Sequence, residues 1–209
     1  MSQVRKTELL ETIRLPAPKT KGAFSVEEAI QRRKSRRDYA RKGLTLEELS
    51  QMLWCTLGTT LGRHKASPSA GACYPLDVHV VIGKDAVTSV PAGVYEYEPV
   101  PHELKLRLAG DVREELCEAA WGQDFIAAAP VTMAFVAEFE RTTQRYGERG
   151  LRYVFMDVGH MGQNIYLQAE ALGLGTVAVG AFQDERVSSV LKLPSHLKPV
   201  YLMPVGHPS

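Results

Sequence analysis

The sequence has few cysteines, little net charge and no long apolar run. Cys55, Cys73 and Cys117 are odd in number and lack a CxxC pair, so neither a disulfide framework nor a cysteine zinc site is indicated. A net charge of +1 over 209 residues argues against a protein that coats nucleic acid. No apolar stretch approaches the roughly 18 residues that span a bilayer, and the mixed charges of Met1 to Glu11 do not resemble a signal peptide. These absences predict a soluble cytoplasmic protein without a membrane or nucleic-acid partner.

Well-known catalytic motifs are missing as well. The histidines are scattered and no pair has the spacing of a metal-binding helix, so no metal site is predicted. There is no GxSxG turn of a hydrolase and no phosphate-binding P-loop. Gly173-Leu174-Gly175 does not continue into GxGxxG, and it follows a helical pattern instead of opening one.

The chain has the composition of one globular domain. Hydrophobic residues make up 44% and charged residues 23% of it, which suffices for a real core. Leu15-Pro16-Ala17-Pro18 cannot lie inside a helix, so we predict an extended arm over residues 1–24 and a single domain over 25–209. Ser25–Glu28 and Thr45–Glu48 have the form of capping boxes and predict two helix starts.

The remaining pattern mixes strands and helices irregularly. A hairpin is predicted over 93–98 and 104–108, a short helix capped by Asp184, and further strands over 77–82, 129–137, 176–182 and 198–205. The longest helix runs from about Leu151 to Leu172 and carries apolar residues on more than one side. Such a helix belongs at the centre of a core or in a subunit interface. The class is α+β or mixed α/β.

Arg32 to Arg37 places five cations and one hydroxyl in six positions. Arginine offers a planar fork of donors that suits phosphate, and Ser35 could complete such a cage. The alternative is a solvated basic surface at a helix end, which composition alone favours. Two loops of small residues, 68–72 and 180–181, would let backbone N–H groups approach a flat ligand. An anionic, planar ligand is therefore plausible.

Several motifs then occur in a characteristic order. They are Leu15-Pro16-Ala17-Pro18, Arg33-x-Ser35-x-Arg37-x-Tyr39, Pro68-Ser69-Ala70-Gly71-Ala72-x-Tyr74-Pro75-Leu76, Gln123, Asp157-Val158-Gly159-His160-x-x-Gln163-Asn164 and Val179-Gly180-Ala181-Phe182. Together they resemble the nitroreductase-like, FMN-dependent oxidoreductases, and within them the SagB-type dehydrogenase branch. The resemblance covers about Leu15 to Pro208. It implies an α+β fold with a central, mostly antiparallel sheet flanked by helices, and an intimate homodimer with FMN at the subunit interface.

The resemblance also implies roles for single residues. Arg33 and Ser35 would bind the phosphate and ribityl end of FMN, and Arg37 would lie near the N1/O2 edge, where a cation stabilises reduced flavin. Pro68, Ser69 and Ala70, together with Gly71, would be laid by the partner subunit against the isoalloxazine ring.

On the remaining edges of the ring, Gln123 would pair with the pyrimidine. The turn Gly180-Ala181 would direct a backbone N–H at N5. No side chain is implied as a catalytic residue, because the flavin itself carries the chemistry.

The activity implied is two-electron ping-pong transfer between NADH or NADPH, or an organic small-molecule substrate, and an acceptor. A flavin-binding or flavin-sequestering protein with little turnover is the alternative. One departure concerns the phosphate site: many relatives end in a Lys or Arg pair, whereas this chain ends in Gly206-His207-Pro208-Ser209. Either His207 substitutes, or Arg32, Lys34 and Arg36 supply the charge; otherwise these three are expected to face solvent.

Overall fold

A computed structural model of the protein describes residues 12–62 and 64–209. The strands in these residues are Thr12–Arg14 (β1), Leu76–Ile82 (β2), Gly93–Glu98 (β3), Glu103–Ala109 (β4), Val131–Ala137 (β5), Gly175–Thr176 (β6) and Lys198–Gly206 (β7). The α-helices are Val26–Arg32 (α1), Leu46–Leu57 (α2), Arg113–Ala119 (α3), Phe125–Ala128 (α4), Glu140–Tyr146 (α5), Arg149–Leu172 (α6) and Asp184–Val190 (α7).

One sheet with the strand order β1-β4-β3-β2-β5-β7-β6 forms the centre of the fold. Each pair of neighbouring strands in it is antiparallel. Every residue of β5 is buried, because helices cover both faces of the sheet. Met133 and Phe135 of β5 pack in a cluster with α2 and α6, whereas Ala134 and Val136 pack with α3, α4 and α7. The predicted α+β class, with its antiparallel sheet flanked by helices, is confirmed.

Local signals in the sequence define the first helices. Ser25 and Thr45 each cap a helix, and in both cases the glutamate three residues later completes the box. Gly173 ends α6 in the left-handed conformation at φ 69°. The predicted hairpin is present as β3 and β4.

The long helix α6 is longer than predicted and is apolar on two sides. One side, which includes Val154, Val158 and Ile165, is buried against the sheet. Its first turns also carry Leu151, Phe155 and Met156, which are 44%, 56% and 54% exposed. These three residues form an uncovered apolar patch on this chain, here called the α6 patch.

Two predictions about the C-terminal third are corrected. The strand predicted over 176–182 shrinks to the two residues of β6. The Ala178 N–H donates to the Tyr166 hydroxyl at 2.9 Å instead of to a strand, and only Val179 returns to the sheet through a bridge with Leu202. Asp184 is the first residue of α7 and not its cap, which is Gln183. Its carboxylate still stabilises the helix, because it lies at the positive end of the helix dipole.

The N-terminal segment packs on its own chain in the part that is described. β1 pairs with β4, Leu15 is buried, and the Leu15 N–H donates to the carbonyl oxygen of His102 at 3.1 Å. Residues 1–11 of the predicted arm lie outside the described residues, and its boundary at residue 24 stays a prediction. In the described ranges no helix is long and apolar enough to cross a membrane.

His79 on β2 is expected to make the free energy of unfolding depend on pH. Its side chain is only 4% exposed, and neither ring nitrogen has a hydrogen-bond partner in the described part of the chain. Burial lowers the pKa of His79; the nearby Glu96 and Asp77 carboxylates oppose this shift, and Arg107 reinforces it. The unfolded chain therefore binds a proton at a higher pH than the folded chain does. We expect the free energy of unfolding to be highest above the unfolded value of about 6.5 and to fall as pH decreases towards the lowered folded pKa.

Denaturant titrations between about pH 5 and 7.5 measure this effect. His79→Leu should flatten the decline relative to the native protein, because the group that gains a proton on unfolding is gone. His196→Gln, at an exposed histidine, is the matched control. In this variant the free energy of unfolding should decline with falling pH as it does in the native protein. An equal pH slope in the native protein and in His79→Leu would contradict the assignment.

Candidate functional site

The basic segment Arg33–Arg37 is an extended strand-like stretch beside β6. Arg33 is the C-cap of α1 with extended backbone angles, Ser35 bridges Thr176, and the Arg36 N–H donates to the carbonyl oxygen of Thr176 at 2.9 Å. Gly175 permits this approach, since a Cβ there would lie 2.9 Å from the Arg36 side chain. Because side chains alternate along an extended chain, Arg33 and Ser35 project to one side.

Arg33 and Ser35 both meet Tyr166 of α6. The Arg33 guanidinium lies 5.1 Å from the centre of the Tyr166 ring, within the range of a cation–π contact. The Ser35 Oγ and the Tyr166 hydroxyl oxygen are 2.9 Å apart. The structure thus brings the two predicted phosphate-binding residues together on one aromatic side chain.

Arg36 was predicted to face solvent, and this is wrong. Its guanidinium forms an ion pair with Glu170 of α6 at 3.1 Å, and the side chain is only 26% exposed. The reason is that Gly175 of β6 and Glu170 of α6 lie beside the Arg36 side chain. Arg32 and Lys34 are exposed, and Arg32 lies 3.8 Å from Glu28.

Arg37 points away from Tyr166 and towards α4. Its guanidinium lies 5.7 Å from the centre of the Phe125 ring, at an open cavity of about 540 Å³ that Asp124 and Ser209 also line. The chain end pairs with the residues after Arg37, since the Ala40 N–H donates to the carbonyl oxygen of His207. Arg37 therefore lies beside the C-terminus, whereas Arg33 lies on Tyr166.

His207 is turned away from the basic segment. Its Nε2 lies 3.6 Å from a carboxylate oxygen of Glu48, at the start of α2. Arg36 is held by Glu170 and Arg32 lies 3.8 Å from Glu28. Lys34, which is exposed, is therefore the neighbouring cation that is left to supplement Arg33.

Gln123 and the turn Gly180-Ala181 meet directly. The Gln123 Nε2 donates to the carbonyl oxygens of Ala120 and Ala181 at 2.8 and 2.9 Å. Both N–H bonds of this amide are thereby used, and its oxygen has no protein donor in the described part of the chain. The turn itself is exposed, and among the described residues neither of its two N–H groups has a protein acceptor. Gln123 therefore holds in place a turn whose backbone N–H groups are available to a ligand.

The loop Pro68–Gly71 lies at another place along α6. The Ser69 Oγ accepts from the Tyr74 N–H at 2.9 Å, and Arg145 donates to the carbonyl oxygen of Gly71 at 3.0 Å. Gly71 has φ +58° and no room for a Cβ beside Tyr146, so glycine is required there. This loop packs near Asp157 and Met161, whereas Ser35 contacts Tyr166.

The predicted site residues consequently form separate groups within one chain. Asp157 and Tyr166 are nine positions apart on α6, which corresponds to about 13 Å of helical rise. No hydrogen bond or ion pair of the described residues joins the loop to the basic segment. One chain by itself does not assemble all of the predicted residues.

A family model described as "Nitroreductase family" matches residues 30–207. The chain belongs to the nitroreductase family. It is therefore an oxidoreductase, as its motifs predict. The Methanocaldococcus jannaschii protein named "Putative nitroreductase MJ1384" is 47% identical over 184 residues, 88% of this chain and 91% of that protein. A crystal structure from Ralstonia eutropha, of a protein with the same description, matches this nitroreductase-family chain with a TM-score of 0.82 at 29% identity, covering 95% of this chain and 90% of that one.

Two further relatives match a shorter part of this nitroreductase-family chain. The Trifolitoxin-processing protein TfxB of Rhizobium leguminosarum is 36% identical over 63% of this chain, which spans 37% of TfxB. A Bacillus subtilis protein named FMN reductase [NAD(P)H] is 31% identical over 46% of this chain and 45% of its own length.

Sequence reasoning missed two residues of this region. The motifs single out neither Tyr166 nor Glu170 of α6. Their i, i+4 spacing places them on one face of α6. This spacing is the feature of the sequence that could have identified them as a pair. Which segment that face contacts depends on the tertiary fold.

Proposed function

We propose that this nitroreductase-family protein is an FMN-dependent oxidoreductase that moves two electrons between NADH or NADPH, or an organic small-molecule substrate, and an acceptor. One observation carries the proposal: Arg33 and Ser35 converge on Tyr166. The relative named FMN reductase [NAD(P)H] supports the choice of cofactors. The similarity to TfxB supports the SagB-type branch.

The donor set suits FMN. The Arg33 guanidinium and the Ser35 hydroxyl, two positions apart on an extended chain, are suitable ligands for a phosphate. The outward N–H groups of Gly180 and Ala181 suit an acceptor nitrogen or oxygen on a ring edge. The free oxygen of Gln123 suits an imide N–H. Each of the three groups thus matches a different part of the cofactor.

The residues of this chain would bind and orient the cofactor, which supplies hydride transfer at its N5 atom when bound. Arg33 and Ser35 would hold the phosphate end. Arg37, which has no carboxylate partner among the described ion pairs, would place a positive charge near the edge that becomes negative on reduction. Gln123 would keep the Gly180-Ala181 turn in a fixed position, so that its N–H groups need no rearrangement during the reaction.

The complete site would need a homodimer. The loop Pro68–Gly71 would reach the ring from a second copy, since within one chain it lies apart from Arg33 and Ser35. The α6 patch gives an apolar surface that such a dimer would cover. The cytoplasmic location stays a prediction from the sequence.

The absorbance spectrum of the purified protein, before and after addition of NADH or NADPH, tests the function. We expect a yellow protein that releases FMN on denaturation, bleaches with a reduced nicotinamide and recovers its colour with a nitroaromatic or a quinone. A colourless protein that gains no flavin after incubation with FMN would refute the proposal. Bound flavin that neither reduced nicotinamide bleaches would instead favour the flavin-sequestering alternative.

A further inference from the structure

We propose that Tyr166 is a positioning residue that orients Ser35 and Arg33 towards a phosphate. This inference rests on the proposed function and adds a residue to it. Tyr166 lies in the second half of α6 and is half-buried. It touches three separate parts of the chain: Arg33 after α1, Ser35 beside β6, and Ala178 after β6.

One hydrogen bond at the Tyr166 hydroxyl has a fixed direction. The Ala178 backbone N–H can only donate, so the Tyr166 oxygen accepts this bond at 2.9 Å. The Tyr166 hydrogen is then available for the Ser35 Oγ, 2.9 Å away. When Ser35 accepts this bond, its own hydrogen is free for another acceptor. In this arrangement the chain from Ala178 through Tyr166 to Ser35 presents a serine donor at its exposed end, and successive bonds of this kind strengthen one another.

The same side chain orients Arg33. A guanidinium that lies over an aromatic ring uses its face for that contact, while its N–H donors stay in the plane and remain available. In the described residues Arg33 has no carboxylate partner, whereas Arg32 pairs with Glu28 and Arg36 with Glu170. Arg33 is thus a positioned cation whose charge the protein does not neutralise, as an anion site requires.

The phosphate specificity of flavin binding tests this role. Full-length protein freed of its flavin is titrated with FMN and with riboflavin, which lacks the phosphate. In Tyr166→Phe the ring under Arg33 remains and only the hydroxyl is lost. We expect the Kd for FMN to rise about five- to tenfold, the scale of one hydrogen bond, and the Kd for riboflavin to change less than about twofold, the ratio that a measurement of this kind resolves.

Three further variants separate positioning from stability. Ser35→Ala should raise the FMN Kd to a similar extent, and Tyr166→Phe combined with Ser35→Ala should be no worse than either alone, because both act through one interaction. Tyr97→Phe is the matched control: it removes a hydroxyl that contacts His102 at the same distance of 2.9 Å, in another part of the fold. It should leave the ratio of the FMN and riboflavin affinities unchanged.

The outcomes are distinguishable. An unchanged FMN Kd in Tyr166→Phe, or an equal loss for riboflavin, would overturn the positioning role while leaving the proposed function intact. A native protein that binds neither flavin would overturn the proposed function and this inference with it.

Discussion

Replacing Arg33 with alanine is expected to weaken FMN binding by about 1.5–3 kcal/mol, the scale of a hydrogen bond to a charged group. This corresponds to roughly a ten- to more than hundredfold rise in Kd. The physical reason is that Arg33 lies over Tyr166 and forms no ion pair with a carboxylate among the described residues. Its charge is therefore fully available to a phosphate. Fluorescence titration of the flavin-free protein with FMN measures the effect.

Arg32→Ala is the matched control for this prediction. Arg32 is the preceding residue and carries the same charge, yet it is exposed and lies near Glu28. Its removal should change the FMN Kd by much less, and both variants should keep the size of the native protein in solution, since neither residue belongs to the α6 patch. Equal affinities for FMN in Arg33→Ala and in the native protein would refute the assignment of Arg33.

The fold could be predicted where local chemistry decides it. Ser25 and Thr45 cap helices because their hydroxyls reach backbone N–H groups three residues ahead, and this depends on neighbours in the sequence alone. β5 could be recognised from its continuous apolar run, since both of its faces are covered. The order of motifs from Leu15 to Pro208 indicated the family, which the match over residues 30–207 confirms.

The parts that could not be predicted depend on contacts distant in sequence. Alternation correctly grouped Arg33 with Ser35, but it also placed Arg36 in solvent, because the sequence does not show that Glu170 lies beside it. The strand after Thr176 stops early because Ala178 donates to Tyr166, a residue on another element. His207 was one candidate for completing the phosphate site, and only the packing of α2 against the chain end shows that it lies near Glu48.

The division of the site along α6 leads to the prediction with the largest structural effect. Replacing both Leu151 and Met156 with glutamate is expected to convert the proposed dimer into monomers. These residues are 44% and 54% exposed in one chain, and a dimer that buried them would have to bury two carboxylates from each subunit without partners. Such burial costs several kcal/mol for each charge. Phe155 is left unchanged because its ring packs on Phe139 of the same chain, so its loss would also disturb the monomer.

Light scattering of the protein as it elutes from a size-exclusion column measures its mass, and the absorbance of the same fractions gives the flavin content. We expect the double variant to lose flavin together with its partner, because the loop Pro68–Gly71 of a second copy would no longer cover the ring. Val100→Glu is the control, since Val100 is 82% exposed in the turn between β3 and β4 and its replacement adds a carboxylate to the surface outside the α6 patch. A double variant that stays dimeric would rule out the α6 patch as the interface. A monomeric variant that retained all of its flavin would show that one chain suffices for the site, and the proposed role of the loop would then be wrong.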